Sequence, residues 1–319
     1  MTRPSAQTRG DGDEGRKPLY AYRFDGAQSM PVDEMYNELQ RAIMPVVGVA
    51  GGVVEPFATC FCISSTMSLI VTAWHVVDEF IAGHRSELEA GASHLAVVYE
   101  SDESHPNGHG AIGGPLPVYS VSYQPGLDLA LLHLWDVDSS SGPVRPGSIA
   151  PVGFAPPPSG DYCYGFGYPQ LAGGGIHEDK GRRAVDFVRV LHRTGGRVVD
   201  VFAEGNAAHL KLPGPHLDCD LPMPSGFSGG PVHTDKGGIC GVMSTSYDPF
   251  DPGDRWASYV SLLAPLLAFP IRAQDAHGRM VEATVHDLAV DGHITFHGEL
   301  PPPPPTVSNL ETIVFGPPV

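Results

Sequence analysis

From Met44 to about Ile271 the chain breaks into short apolar or alternating segments separated by glycine and proline. Candidate strands are Met44–Ala50, Ala58–Ser64, Ser68–Thr72, His94–Tyr99, Leu129–Leu134, Tyr162–Phe166, Phe187–His192, Arg197–Phe202, Gly230–His233, Ile239–Ser244 and Ser258–Ser261. The 39 glycines and 32 prolines punctuate them, and both residue types weaken helix interiors. Many short strands without helices between them predict an all-β protein, built as barrels or a sandwich rather than a parallel sheet. The one convincing internal helix follows Ala73.

The ends read differently. Residues 1–31 are polar, glycine-rich and aperiodic, the composition of a disordered tail. Val32 to Ile43 reads as a short amphipathic helix with Met35, Leu39 and Ile43 on one face, preceding a main domain that runs to Ile271 (residues 32–271). Within that domain, Asp102–Pro117 and Leu171–Arg183 read as surface loops. Residues 272–319 form a small C-terminal extension. It holds a helix with Val281, Val285 and Leu288 on one face, a short strand Ile294–His297 and a polyproline segment Pro301–Pro305.

Charge narrows the partners. Nineteen Lys+Arg stand against 36 Asp+Glu, a formal net charge of −17. Such a surface repels phosphate backbones and anionic headgroups, so neither nucleic acid nor membrane is an expected partner. The longest apolar stretch, Tyr259–Ile271, carries two prolines and is too short to span a bilayer. Five cysteines, an odd number, suit buried thiols better than a disulfide framework. No secretory signal is evident, and a cytoplasmic location is expected. The 15 histidines are scattered without metal-ligand spacing, so no metal or cofactor is expected. Lys180, Arg182, Arg183, Arg189, Arg193 and Arg197 cluster in this acidic chain and read as a solvated hairpin with its flanking loop, rather than as a docking surface.

Three segments share one chemical logic. Val71-Thr72-Ala73-Trp74-His75 runs an apolar strand into a histidine. Asp128 heads the apolar run Leu129–Leu132. Ser228 sits in the glycine-dense turn Gly226-Phe227-Ser228-Gly229-Gly230-Pro231. A serine hydroxyl is a poor nucleophile at neutral pH and needs an adjacent base. A neutral imidazole is such a base if a buried carboxylate fixes its tautomer. The glycines allow backbone amides to converge on a developing oxyanion.

On these residues the sequence resembles the trypsin-like serine peptidases of the chymotrypsin fold, in their bacterial, disulfide-free form. The order His, Asp, Ser is that of this family and not of the α/β-hydrolases. Weaker matches are Ala58–Ile63 ahead of the histidine segment and Tyr164–Pro169 opening the second half. The resemblance covers about residues 43–271 and implies two six-stranded antiparallel β-barrels with short helices. It implies His75 as general base, Asp128 as its orienting partner and Ser228 as nucleophile, with the amides of Gly226 and Ser228 as the oxyanion hole.

Two departures carry meaning. Secreted animal members place an aspartate before the nucleophile, which pairs with a new amino terminus after cleavage; here that residue is Phe227. Val76 stands where those enzymes close a disulfide. Regulation by a partner protein or a loop, rather than by zymogen cleavage, is therefore expected. By the same resemblance Pro222 and Met223 form the floor of a specificity pocket and Ser244, Thr245 and Ser246 one wall. Without an acidic floor residue, a small or medium apolar side chain is expected on the acyl side of the cut. Ser244 is further expected to hydrogen-bond Asp128. The substrate would be a protein or peptide. The alternative reading is a catalytically silent module of the same fold that binds a partner, with esterase chemistry a third.

Overall fold

The structure is a computed structural model. It describes residues 42–104, 111–135, 138–139, 142–143, 151–169, 171–172, 174–179, 182–185, 188–189, 191–209, 212–234, 238–247, 256–274, 280–302 and 309–315. The expected tail, most of the expected helix before Ile43, Lys180 and Pro303–Pro305 lie outside those residues. Ile43 itself opens a strand and does not close a helix.

Two closed six-stranded antiparallel barrels make up the body. The first contains β1 (Ile43–Ala50), β2 (Val53–Ser64), β3 (Leu69–Thr72), β4 (Ser93–Ser104), β5 (Ala111–Gln124) and β6 (Leu129–Leu134), with helix α1 (Trp74–Glu89) between β3 and β4. Their order around the barrel is β1-β2-β3-β6-β5-β4, closing on β1. The second contains β7 (Tyr162–Gly167), β8 (His192–Phe202), β9 (His216–Cys219), β10 (Pro231–Thr234), β11 (Ile239–Tyr247) and β12 (Ala257–Leu262). Its order, β7-β8-β9-β12-β11-β10 closing on β7, repeats the first. Closure leaves no free sheet edge inside either barrel.

The strand patterns explain the placement of the core. Leu129-Ala130-Leu131-Leu132-His133-Leu134 is buried throughout, its one side facing the barrel interior and the other covered by neighbouring segments. Tyr162–Gly167 alternates buried and half-buried residues, as expected of a barrel wall with one face toward water. All five cysteines are free and buried, and burial pushes the Cys62 thiol up to about 12.

Several expectations change. Asp102–Ser104 and Ala111–Pro117 belong to β4 and β5 and not to a surface loop, while 105–110 of that expected loop lie outside the described residues. Ile176–Asp179, within the second expected loop, pairs with Arg182–Val185, which runs past its end, in a hairpin that joins β5 through Val185 and Gly113. Arg193 and Arg197 of the basic cluster stack over Tyr164 and Tyr162 at 4.1 and 5.8 Å, so two of its charges are held by the barrel's own rings. Beyond the second barrel, Pro270–Gln274 pairs with Met280–Thr284 in a hairpin, so Val281 is a strand residue and not part of a helix. The helix there, α2, is only Val285–Val290, and a reciprocal capping box between Thr284 and Asp287 starts it. Val285, Leu288 and Ile294 are buried in the same cluster as the first barrel, and Glu311–Val314 adds a strand to β5.

Candidate active site

His75 enters the site because β3 ends at Thr72 and α1 begins two residues later. The first amides of a helix lack intrahelical partners, and Ala73 at the N-cap offers no side-chain acceptor. Asp128 supplies one from another element: the His75 N–H donates to its Oδ1 at 2.8 Å. The same carboxylate receives the imidazole, with Nδ1 at 2.9 Å from Oδ2 and 3.2 Å from Oδ1. Asp128 thus orients the histidine by both its backbone and its ring. It is buried and takes the left-handed conformation (φ 49°) at the end of a one-turn 3-10 helix, Pro125–Leu127.

A third donor completes the carboxylate's environment, as the sequence suggested. The Ser244 hydroxyl donates to Asp128 Oδ2. Ser244 is the extra residue of a bulge between Met243 and Thr245 in β11, which re-aims its side chain across the interface between barrels.

Ser228 lies at the opposite wall. Gly226 (φ 89°) and Gly229 (φ 83°) both need the left-handed region, and a Cβ on Gly229 would strike Thr72 Oγ1 and Thr59 O. Phe227 is buried in the core of the second barrel, anchoring the turn by apolar contact where an aspartate ion pair is absent. Phe227 N–H donates to Pro224 O at 3.2 Å, Gly229 N–H to Met243 O at 2.8 Å and Gly230 N–H to Phe227 O at 2.9 Å. Among the described residues, the amides of Gly226 and Ser228 make no backbone hydrogen bond. The Ser228 hydroxyl contacts the Ser244 carbonyl at 3.4 Å.

His75 and Ser228 line one cavity of about 560 Å³. Met223, Ser244, Thr245 and Ser246 line it too; Pro222 does not and sits half-buried nearby. Ser246 Oγ donates to the Met223 carbonyl at 3.0 Å, tying two walls together. Four lining residues escaped the sequence reading: Glu79, Pro224, Ser225 and Trp256. Glu79 was within reach, since it follows His75 by four residues on a helix and shares its face. Trp256 had no local signal. No group of three or more His, Cys, Asp or Glu among the described residues is arranged to hold a metal ion. No helix among them is long and apolar enough to cross a membrane.

Among solved structures, the chain is similar to the active form of the Rv3671c protease from M. tuberculosis, at 18% identity over 79% of this chain and 93% of that one, with a TM-score of 0.45. It is similar to Deg5 at 17% identity, over 70% of this chain and 85% of that one, TM-score 0.45. The MamO protease domain from Magnetospirillum magneticum gives 16% identity over 72% of this chain and 95% of that one, TM-score 0.45. No curated protein matches the sequence. The family model of the trypsin-like peptidase domain matches residues 58–242, from β2 into β11 and across all three segments singled out above, and the chain belongs to that family of serine peptidases.

Proposed function

We propose that the protein is a serine endopeptidase in which Ser228 attacks the scissile carbonyl carbon while His75 Nε2 takes the hydroxyl proton. Asp128 holds the imidazole in the tautomer with Nδ1 protonated and stabilises the imidazolium once formed. The oxyanion of the tetrahedral intermediate accepts from the Gly226 and Ser228 amides. Collapse breaks the C–N bond, His75 returns its proton to the leaving amine, and water then releases the acyl group from Ser228 by the reverse proton path.

One observation carries this reading: the Asp128 carboxylate holds both the amide and the ring of His75, whose side chain shares a cavity with Ser228. The Ser228 hydroxyl needs only a rotation about its Cα–Cβ bond to leave Ser244, and such bonds are often loose before substrate binds. Met223, Thr245 and Trp256 are uncharged parts of the cavity lining, which favours a small or medium apolar residue on the acyl side. The substrate is a protein or peptide, and control falls to a partner protein or a loop, since Phe227 leaves no ion pair for a newly cut amino terminus. The five free thiols favour a reducing compartment, the cytoplasm.

The test is covalent labelling with a fluorophosphonate probe, alone and with candidate regulators. Labelling of the native chain, lost in Ser228→Ala and reduced by several orders of magnitude in His75→Ala, is the expected result. A native chain unlabelled under all these conditions overturns the reading in favour of a silent binding module.

A further inference from the structure

We propose that Thr59, on β2 of the first barrel, is the positioning residue that sets the orientation of the Ser228 turn. The proposal rests on the reading of that turn as nucleophile and oxyanion hole.

Every polar atom of Thr59 is engaged with the catalytic strands and loops. Its hydroxyl donates to the Gly226 carbonyl at 2.7 Å and accepts from the Tyr168 N–H at 3.1 Å. Its own N–H donates to the Ser228 carbonyl at 2.9 Å. Its carbonyl accepts from the Thr72 hydroxyl at 2.9 Å, three residues before His75. Thr59 is fully buried, so water offers its hydroxyl no substitute partner.

The direction of the hydroxyl proton follows from these partners. The Tyr168 amide can only donate, so the Thr59 oxygen accepts there and its proton goes to the Gly226 carbonyl. This matters because Gly226, with φ at 89°, has no Cβ to restrict its backbone. The peptide plane between Gly226 and Phe227 is thereby tied to the first barrel, which limits how far the Gly226 backbone can rotate. Thr59 therefore holds the carbonyls of both residues whose amides remain free, Gly226 by its side chain and Ser228 by its backbone. Tyr168 fixes the clamp in turn: its ring hydroxyl donates to the Ile43 carbonyl at 2.7 Å, and its carbonyl blocks any side chain at position 226.

Substitution separates the two anchors. Thr59→Val keeps the volume and the backbone bond to Ser228 but removes the hydroxyl; Thr59→Ser keeps the hydroxyl. In the whole 319-residue chain, we expect Thr59→Val to lower kcat, and the limiting rate of fluorophosphonate acylation, by about 10-fold or more. KM and the apparent affinity for the probe should move less than about threefold, and Thr59→Ser should restore most of the rate. Thermal unfolding of each variant establishes that rates are compared on folded protein. A folded Thr59→Val acylated at the native rate, or a Thr59→Ser as slow as Thr59→Val, overturns the proposal. If Thr59→Val does not fold, Thr59→Cys carries the test, because a thiol is a weaker donor of similar size. A slowed acylation at unchanged affinity supports the clamp, and a native rate overturns it. A native chain that never labels overturns the peptidase reading and this one together, whereas normal labelling with an indifferent Thr59 overturns this one alone.

Discussion

Trp74 and Tyr123 lie face to face, their ring centroids 3.5 Å apart and their planes 6° from parallel. Trp74 is the residue before His75, and the Tyr123 hydroxyl donates to Glu311 Oε2 at 2.6 Å. Burial, then the Glu311 carboxylate, pushes the tyrosine pKa up to about 12. The C-terminal strand Glu311–Val314 is thus tied through one tyrosine to the start of α1. Removing residues 303–319 leaves the stack in place but takes away the hydrogen bond to a charged acceptor, and should lower stability by about 1.5 kcal/mol or more. It should also slow labelling of Ser228. Scanning calorimetry and probe kinetics on the truncated chain check this, with Tyr123→Leu expected to reproduce the rate effect.

In the proposed mechanism Asp128 serves the fold through the His75 amide and the chemistry through the His75 ring. Asp128→Asn keeps an oxygen for the His75 N–H but presents an amide that favours the wrong imidazole tautomer. We expect kcat to fall by about 10⁴-fold while the thermal midpoint moves only a few degrees. Asp128→Ala, which also uncaps α1, should cost about 1 kcal/mol or more in stability beyond that. Steady-state kinetics with urea titrations on both variants separate the two roles.

The residues proposed to do the chemistry were legible because each is announced by its immediate neighbours: a strand running into Ala73 and His75, a carboxylate heading Leu129–Leu134, a serine among glycines. The strands between them were harder. β5 opens through Gly113, Gly114, Pro115 and Pro117, which locally read as loop; its pairing with β4 and β6 overrides that local preference. β9, His216–Cys219, is only four residues long, and its apolar Leu217 and Cys219 alternate with His216 and Asp218 over too short a run to mark a strand. Val281, Val285 and Leu288 do fall at helical spacing, yet Val281 pairs with Ala273 in a hairpin. There the capping pattern Thr284-x-x-Asp287 already marked the true helix start, and periodicity was the weaker guide. Thr59 was illegible for a different reason: its partners Gly226, Ser228 and Tyr168 come from the other barrel, and only packing brings them to it.

Acid should destabilise the protein through two buried histidines. Burial lowers His133 to about 4 and His233 to about 4, and neither His133 Nδ1 nor His233 Nε2 has a hydrogen-bond partner. In the unfolded chain both titrate near 6.5. Above pH 6.5 they are neutral in both states and add no pH dependence. Between about 6.5 and 4 the unfolded chain binds protons that the native barrels exclude, so stability falls as pH falls, by up to about 3 kcal/mol per histidine. Urea midpoints at pH 7.5, 6 and 5 should decline in that order, and His133→Leu with His233→Leu should flatten the slope. Equal slopes in the variant would show that other groups carry the acid sensitivity.

Glu79 should set a charge preference on the leaving-group side of the cut. Among the described residues it is the one carboxylate lining the cavity, and it is exposed. In the proposed mechanism His75, one turn earlier on α1, delivers its proton to the departing amine, which sets the helix beside the residues that follow the scissile bond. A lysine or arginine there meets Glu79 in water-exposed surroundings, where an ion pair contributes about 0.2–1 kcal/mol, up to roughly fivefold in kcat/KM. Glu79→Gln should remove that preference, and Glu79→Lys should invert it toward aspartate and glutamate. Cleavage of a peptide library, read by mass spectrometry at low and high salt, measures the effect, and the preference should shrink as salt screens it. Identical cleavage-site profiles for the native chain and Glu79→Lys would place the leaving-group residues away from α1.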